Sequence, residues 1–327
     1  MRKNMPIKNL IAVLAISLCS HVIAAQLTPQ QQAAKERGIM LYNQYKTAIP
    51  ELRIAAEAGD RESQYFLGEE LRLTNRYMTT EAQKWYIAAA EQGDYYAMFR
   101  LSDTDNDLCN AMKNCPPGSR SSEDWTRLLW KTAEPLAEKG DGEAMMIMYN
   151  STGELEWLER SASAGYAKAQ WLLANRYKEG HGFFFPPWKR SEQIEELLRK
   201  SSEGNFVNGM GEYMGILQEK GDLAAARALL IKIAETGDEG AIGSYGAYLA
   251  HTPNTLDFPL DLVKGYGLIF LLLELDGGGG AKEYAEDILP EIAAKMTPGQ
   301  IEQAKAFAKK WKATHPPLSY FPEKLGF

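Results

Sequence analysis

The sequence predicts an all-α protein, a right-handed solenoid of helical hairpins, and three observations carry that prediction. A cadence of small residues, an acid and then Gly-Asp recurs along the 327 residues: Ala55-Ala56-Glu57-Ala58-Gly59-Asp60, Ala89-Ala90-Glu91-Gln92-Gly93-Asp94, Ala137-Glu138-Lys139-Gly140-Asp141 and Ala234-Glu235-Thr236-Gly237-Asp238. Looser copies at Ser161-Ala162-Ser163-Ala164-Gly165 and Ser201-Ser202-Glu203-Gly204 keep the beat, so the glycines fall at intervals of 34, 47, 25, 39 and 33. Between beats, apolar residues return with helical spacing. A unit of this size repeated along a chain is the signature of stacked helical hairpins.

The first 25 residues read as an export signal. Arg2, Lys3 and Lys8 precede the apolar run Leu10 to Leu18, and Val22-Ile23-Ala24 or Ile23-Ala24-Ala25 supplies the small residue before a cleavage point. The run is shorter than the ~20 residues a membrane span needs. Cys19 would leave with the signal. The expected location is the periplasm, with no stable membrane insertion after cleavage.

Thr28-Pro29 then opens the first helix with an N-cap and a first-turn proline. The array is expected over 26–280. In its clearest unit, Ser63 to Arg72 carries Tyr65, Phe66, Leu67 and Leu71, with Gly68 permitting a close neighbour. Thr80 to Glu91 follows with Ala82, Trp85, Tyr86, Ala89 and Ala90 on one face. Gly59, Gly93, Gly140, Gly165, Gly204 and Gly237 are read as helix stops, since glycine takes the left-handed conformation at a helix C-terminus without steric cost.

The stretch Ala82-Gln83-Lys84-Trp85-Tyr86-Ile87-Ala88-Ala89-Ala90-Glu91-Gln92-Gly93-Asp94 resembles the second helix of a Sel-1-like repeat, a subclass of the tetratricopeptide superfamily. Ala169 to Gly182 resembles that family's first helix and its Gly-x-Gly turn. Trp157 stands eight residues before Gly165, as Trp85 stands eight before Gly93. The resemblance covers roughly 30–280 in six or seven units, on a repeat period near 34.

Two intervals break the cadence. The long one holds Leu101 to Ser122, rich in Asp, Asn, Ser and Pro, and is expected to be a loop. It contains Cys109 and Cys115, six positions apart, which an oxidising compartment would pair as a disulfide; two buried thiols is the other reading. The second break is Phe183-Phe184-Phe185-Pro186-Pro187-Trp188. Its aromatics either form an exposed partner-binding anchor (Phe183, Phe184, Phe185, Trp188) or fold back over the hairpin as core.

Beyond the array, Tyr266 to Leu275 reads as a last apolar helix broken by Gly277 to Gly280, and 281–327 as capping helices and a tail. Thr297-Pro298 opens the final helix, whose Lys305, Lys309, Lys310 and Lys312 suit the polar cap a solenoid requires.

Composition narrows the function. Formal charge is −7, and removing the three basic residues of 1–25 makes it −10, which argues against nucleic acid or anionic lipid as the main partner. His181, His251 and His315 are isolated, and no nucleophile elbow, metalloprotease motif or phosphate loop occurs, so neither catalysis nor a cofactor or metal is expected. Carboxylate pairs such as Glu69-Glu70 and Glu195-Glu196 read as solvated. A solenoid's concave face suits another protein. The family resemblance implies an exported protein-binding solenoid: first, a periplasmic immunity protein that blocks a type VI secretion effector such as a phospholipase; alternatively, an adaptor in envelope signalling or polysaccharide assembly.

Overall fold

A computed structural model describes residues 26–118, 120–322 and 324–325; the expected export signal lies outside them. Seventeen α-helices are present among these residues, and they pair in chain order. The first pair is α1 (Pro29–Asn43) with α2 (Ile49–Glu57), the second α3 (Arg61–Asn75) with α4 (Thr80–Glu91). The third is α5 (Tyr95–Ser102) with α7 (Ser122–Ala137), separated by the short α6 (Leu108–Met112). Then come α8 (Gly142–Thr152) with α9 (Leu155–Ser163), α10 (Ala167–Lys178) with α11 (Lys189–Glu203), α12 (Val207–Glu219) with α13 (Leu223–Ala234), and α14 (Glu239–Leu249) with α15 (Leu262–Leu271). Helices α16 (Ala281–Ala293) and α17 (Pro298–Thr314) close the stack against α15.

Through the seven pairs each long helix packs chiefly on the long helices before and after it, which is what makes the array a solenoid, while α17 reaches past α16 to pack on α15. First helices of successive pairs also touch (α1 with α3, α5 with α8, α10 with α12), while among the described residues the second helices of these seven pairs have no comparable mutual packing. The first helices therefore line the inner side of the curve.

The Gly-Asp beat does two jobs in two residues. At the first copy Gly59 has φ +91°, its N–H reaches Ala56 O, and the Asp60 N–H reaches Ala55 O, which satisfies the last carbonyls of α2. The Asp60 carboxylate then accepts from the Ser63 N–H at 2.8 Å and caps α3. Asp94, Asp141 and Asp238 cap α5, α8 and α14 in the same way.

Gly204 is not the left-handed helix stop that the cadence predicts. Its φ is −75°, and Asn205, at +59°, takes the left-handed position. The repeat register agrees with Asn205: Ser161, four residues before Gly165, donates to Gly142 O, and Ser201, four before Asn205, donates to Ala167 O. Asn is the residue after Gly that best tolerates this conformation. Gly204 is needed for space instead, because a Cβ there would lie 2.6 Å from the Ala167 Cβ.

The 101–122 interval is more ordered than a loop. A 3₁₀ turn at Thr104–Asn106 and α6 occupy it. Cys109, fully buried, is joined to Cys115. The Asp107 carboxylate accepts from the N–H groups of Met78 and Cys109, pinning the interval to the preceding pair.

Candidate functional site

Two surfaces carry recognition chemistry. The first is the turn between α10 and α11. Here the aromatic run divides, because Phe183, Phe185 and Trp188 are 91%, 82% and 63% exposed, whereas Phe184 turns inward to an edge-on contact with Tyr177 at 4.9 Å between ring centroids. The Arg190 guanidinium lies over the Phe184 ring and donates to the carbonyls of Tyr177, Gly180, His181 and Gly182 at 2.7–3.3 Å. One cation thus ties down the whole turn. Of the four aromatics proposed as an anchor, three face solvent and Phe184 supports them.

The second surface is the inner face of the first three pairs, which sequence reasoning did not single out. A run of rings crosses it: Tyr42 and Phe66 at 5.0 Å, Phe66 and Tyr65 at 5.4 Å, Tyr65 and Tyr96 at 5.9 Å. Beneath them Glu69 is 1% exposed, against the expectation that Glu69-Glu70 is solvated. It accepts from Arg100 Nε at 2.6 Å and from the Tyr86 hydroxyl at 2.8 Å, with Arg72 at 3.5 Å. A carboxylate buried this deeply is costly unless it is paired and hydrogen-bonded, and these three partners supply both. Burial pulls the Arg100 pKa down, but Glu69 beside it more than offsets this and holds the guanidinium firmly charged. Tyr65 and Tyr86 are pushed well above the usual phenol range, first by burial and then by Glu69, so both hydroxyls keep their protons.

This face is occupied by the chain itself. After α17 the backbone passes Gly237, where Ser319 N–H reaches Gly237 O and Glu239 N–H reaches Ser319 O. It then meets the end of α1, with Tyr320 N–H on Asn43 O at 2.9 Å, Gln44 Nε2 on Leu318 O at 3.0 Å, and the rings of Tyr320 and Tyr45 stacked at 4.5 Å. Lys324 and Leu325 finally reach the inner aromatics. The Leu325 side chain is buried, its N–H donates to the Tyr65 hydroxyl at 3.0 Å, and its carbonyl accepts from Arg100. The segment expected to be a simple tail joins the last pair to the first three.

Cys109 and Cys115 lie in the third pair's insertion, where the Cys109 side chain joins the buried cluster under the inner face. Trp85 is buried and Trp157 half-buried, both in packing positions. Among the described residues no group of three or more His, Cys, Asp or Glu side chains is arranged to hold a metal ion, and no helix is long and apolar enough to cross a membrane.

No protein-family model matches the chain, and no curated protein matches it. Among solved structures it is similar to a protective antigen present in uropathogenic Escherichia coli strains displaying an SLR fold, at 18% identity and a TM-score of 0.47, over 88% of this chain and 62% of that one. It is also similar to a Sel1 repeat protein from Oxalobacter formigenes, at 19% identity and a TM-score of 0.38, over 85% of this chain and 86% of that one. The chain thus spans less than two thirds of the length of the first of these.

Proposed function

We propose that the chain is an exported, periplasmic, protein-binding solenoid that presents the 183–188 turn to a folded partner. The observation that carries this is the fixed display of Phe183, Phe185 and Trp188 on a turn tied by Arg190. Large rings held in place before binding lose little conformational freedom on association, which is where exposed aromatics gain their affinity.

The finer reading is an immunity protein that neutralises a type VI secretion effector of phospholipase-like chemistry. Its support is the resemblance of Ala82–Asp94 and Ala169–Gly182 to exported bacterial Sel-1-like repeats, the signal-like 1–25 segment and the acidic balance of the remainder.

The test combines the purified chain with the effector encoded beside its gene. The reading expects a one-to-one complex by size exclusion, loss of effector activity, and at least tenfold weaker binding by Phe185→Ala/Trp188→Ala. Full effector activity and no complex would overturn it. An envelope defect on gene deletion with no neighbouring toxin would point instead to an adaptor. Cell fractionation and N-terminal sequencing of the mature chain test export.

A further inference from the structure

We propose that the inner face of the first three helix pairs is a receptor for an extended peptide bearing a cation followed by a bulky aliphatic residue, and that Lys324 and Leu325 of the same chain fill it as a displaceable internal ligand. Three features of the face read three features of such a peptide. The Lys324 ammonium lies 4.9 Å from the Tyr96 ring centroid, 5.8 Å from Phe66 and 5.9 Å from Tyr65, so three π-faces converge on one cation. The next residue's backbone is read by a donor and an acceptor together, Arg100 to the Leu325 carbonyl and the Tyr65 hydroxyl from its N–H. Its side chain enters the apolar cluster that also holds Tyr42, Phe66 and Leu67.

Arg100 is itself held by Glu69, and Glu69 by Tyr86, all within α3, α4 and α5, so the ion pair that presents Arg100 is built without the occupying segment. The face also continues past its occupant. A cavity of about 520 Å³ opens beside Lys324 and is lined by Tyr96, Glu143, Tyr166, Lys168 and Phe206. The segment carrying the occupant is held at two ends, by Ser319–Tyr320 and by Lys324–Leu325, while Phe321 between them is 41% exposed. A tethered ligand competes at an effective concentration on the order of mM, so an external peptide with the same contacts is excluded until the internal one is weakened.

The test uses the full chain and a fluorescently labelled peptide of the sequence Pro-Pro-Leu-Ser-Tyr-Phe-Pro-Glu-Lys-Leu, matching 316–325. In Lys324→Glu/Leu325→Asp the internal ligand is disabled, and the peptide should bind at least ten times more tightly than to the wild type by fluorescence anisotropy. The milder Leu325→Ala should show the same direction and serves if the double variant fails to fold. Adding Arg100→Gln to either, or placing the Glu-Asp substitutions in the peptide, should abolish the gain. A folded tail variant that binds no better than wild type, or binding indifferent to the peptide's Lys-Leu pair, would overturn the proposal.

Discussion

Glu69 on α3 and Arg100 on α5 form an ion pair at 2.6 Å across the second and third helix pairs, at side-chain exposures of 1% and 10%. The pair joins the scaffold to the segment after α17, because Arg100 serves both the Glu69 carboxylate and the Leu325 carbonyl. Removing Arg100 leaves the buried Glu69 carboxylate with the longer Arg72 contact at 3.5 Å as its remaining ion pair, which costs up to about 3–5 kcal/mol, whereas removing both partners leaves a much smaller deficit. Arg100→Met should therefore lower the unfolding free energy in urea by about that amount, and Glu69→Gln/Arg100→Met should recover a large part of it. Equal losses in the two variants would mean that the charge is not isolated by the first substitution.

The helix stop at Asn205 yields a test that distinguishes conformation from packing. Because its φ is +59°, Asn205→Gly should change stability by less than about 0.5 kcal/mol, while Asn205→Ala should cost about 1–2 kcal/mol for placing a Cβ in left-handed backbone. Gly204→Ala, one residue earlier and at φ −75°, should be destabilising for a different reason, the 2.6 Å approach to Ala167. Thermal unfolding of the three variants separates the two causes.

The aromatic turn should split in the same experiment. Alanine at Phe183, Phe185 or Trp188 is expected to alter stability by no more than about 0.5 kcal/mol, as for exposed positions generally. Alanine at Phe184 should cost clearly more, since it removes the ring between Tyr177 and Arg190. Only the first three substitutions should weaken partner binding without moving the melting temperature.

The seam between the last pair and the returning segment carries a pH dependence. Burial, aided by the neighbouring Asp238, pushes the Glu239 carboxyl up to about 7 from its ordinary 4.5. A raised carboxyl pKa means that the folded state holds the proton more tightly than the unfolded one. Its contribution to stability is then full below pH 4.5 and falls as pH rises to about 7. Glu239→Gln should flatten the decline between those values and raise stability at pH 8, measured by denaturant titration across pH. An unchanged slope would show that Glu239 is solvated in the folded chain.

Much of the scaffold was legible in the residues because its determinants are local. A left-handed glycine and an N-capping aspartate need only their own few neighbours, so Gly59-Asp60, Gly93-Asp94, Gly140-Asp141 and Gly237-Asp238 mark helix ends in the sequence as they do in space. The proximity of Cys109 and Cys115 was equally local. The looser beat at Ser201–Gly204 misled by one residue, because Asn205 supplies the conformation and Gly204 only the room.

The inner face was not legible, for the opposite reason. Glu69 looks like any acid on a helix until Tyr86, 17 residues on, and Arg100, 31 residues on, close over it. Leu325 meets Tyr65 across 260 residues. No periodicity encodes such a meeting; it follows from the accumulated curvature of seven helix pairs, which brings the end of α1 against the segment after α17. The hairpins and their ends follow from the residues alone, through backbone conformations set within one turn of chain. The tertiary structure decided which polar groups are buried and which surface is already filled, because both depend on where the stacked pairs carry residues that are distant in the chain.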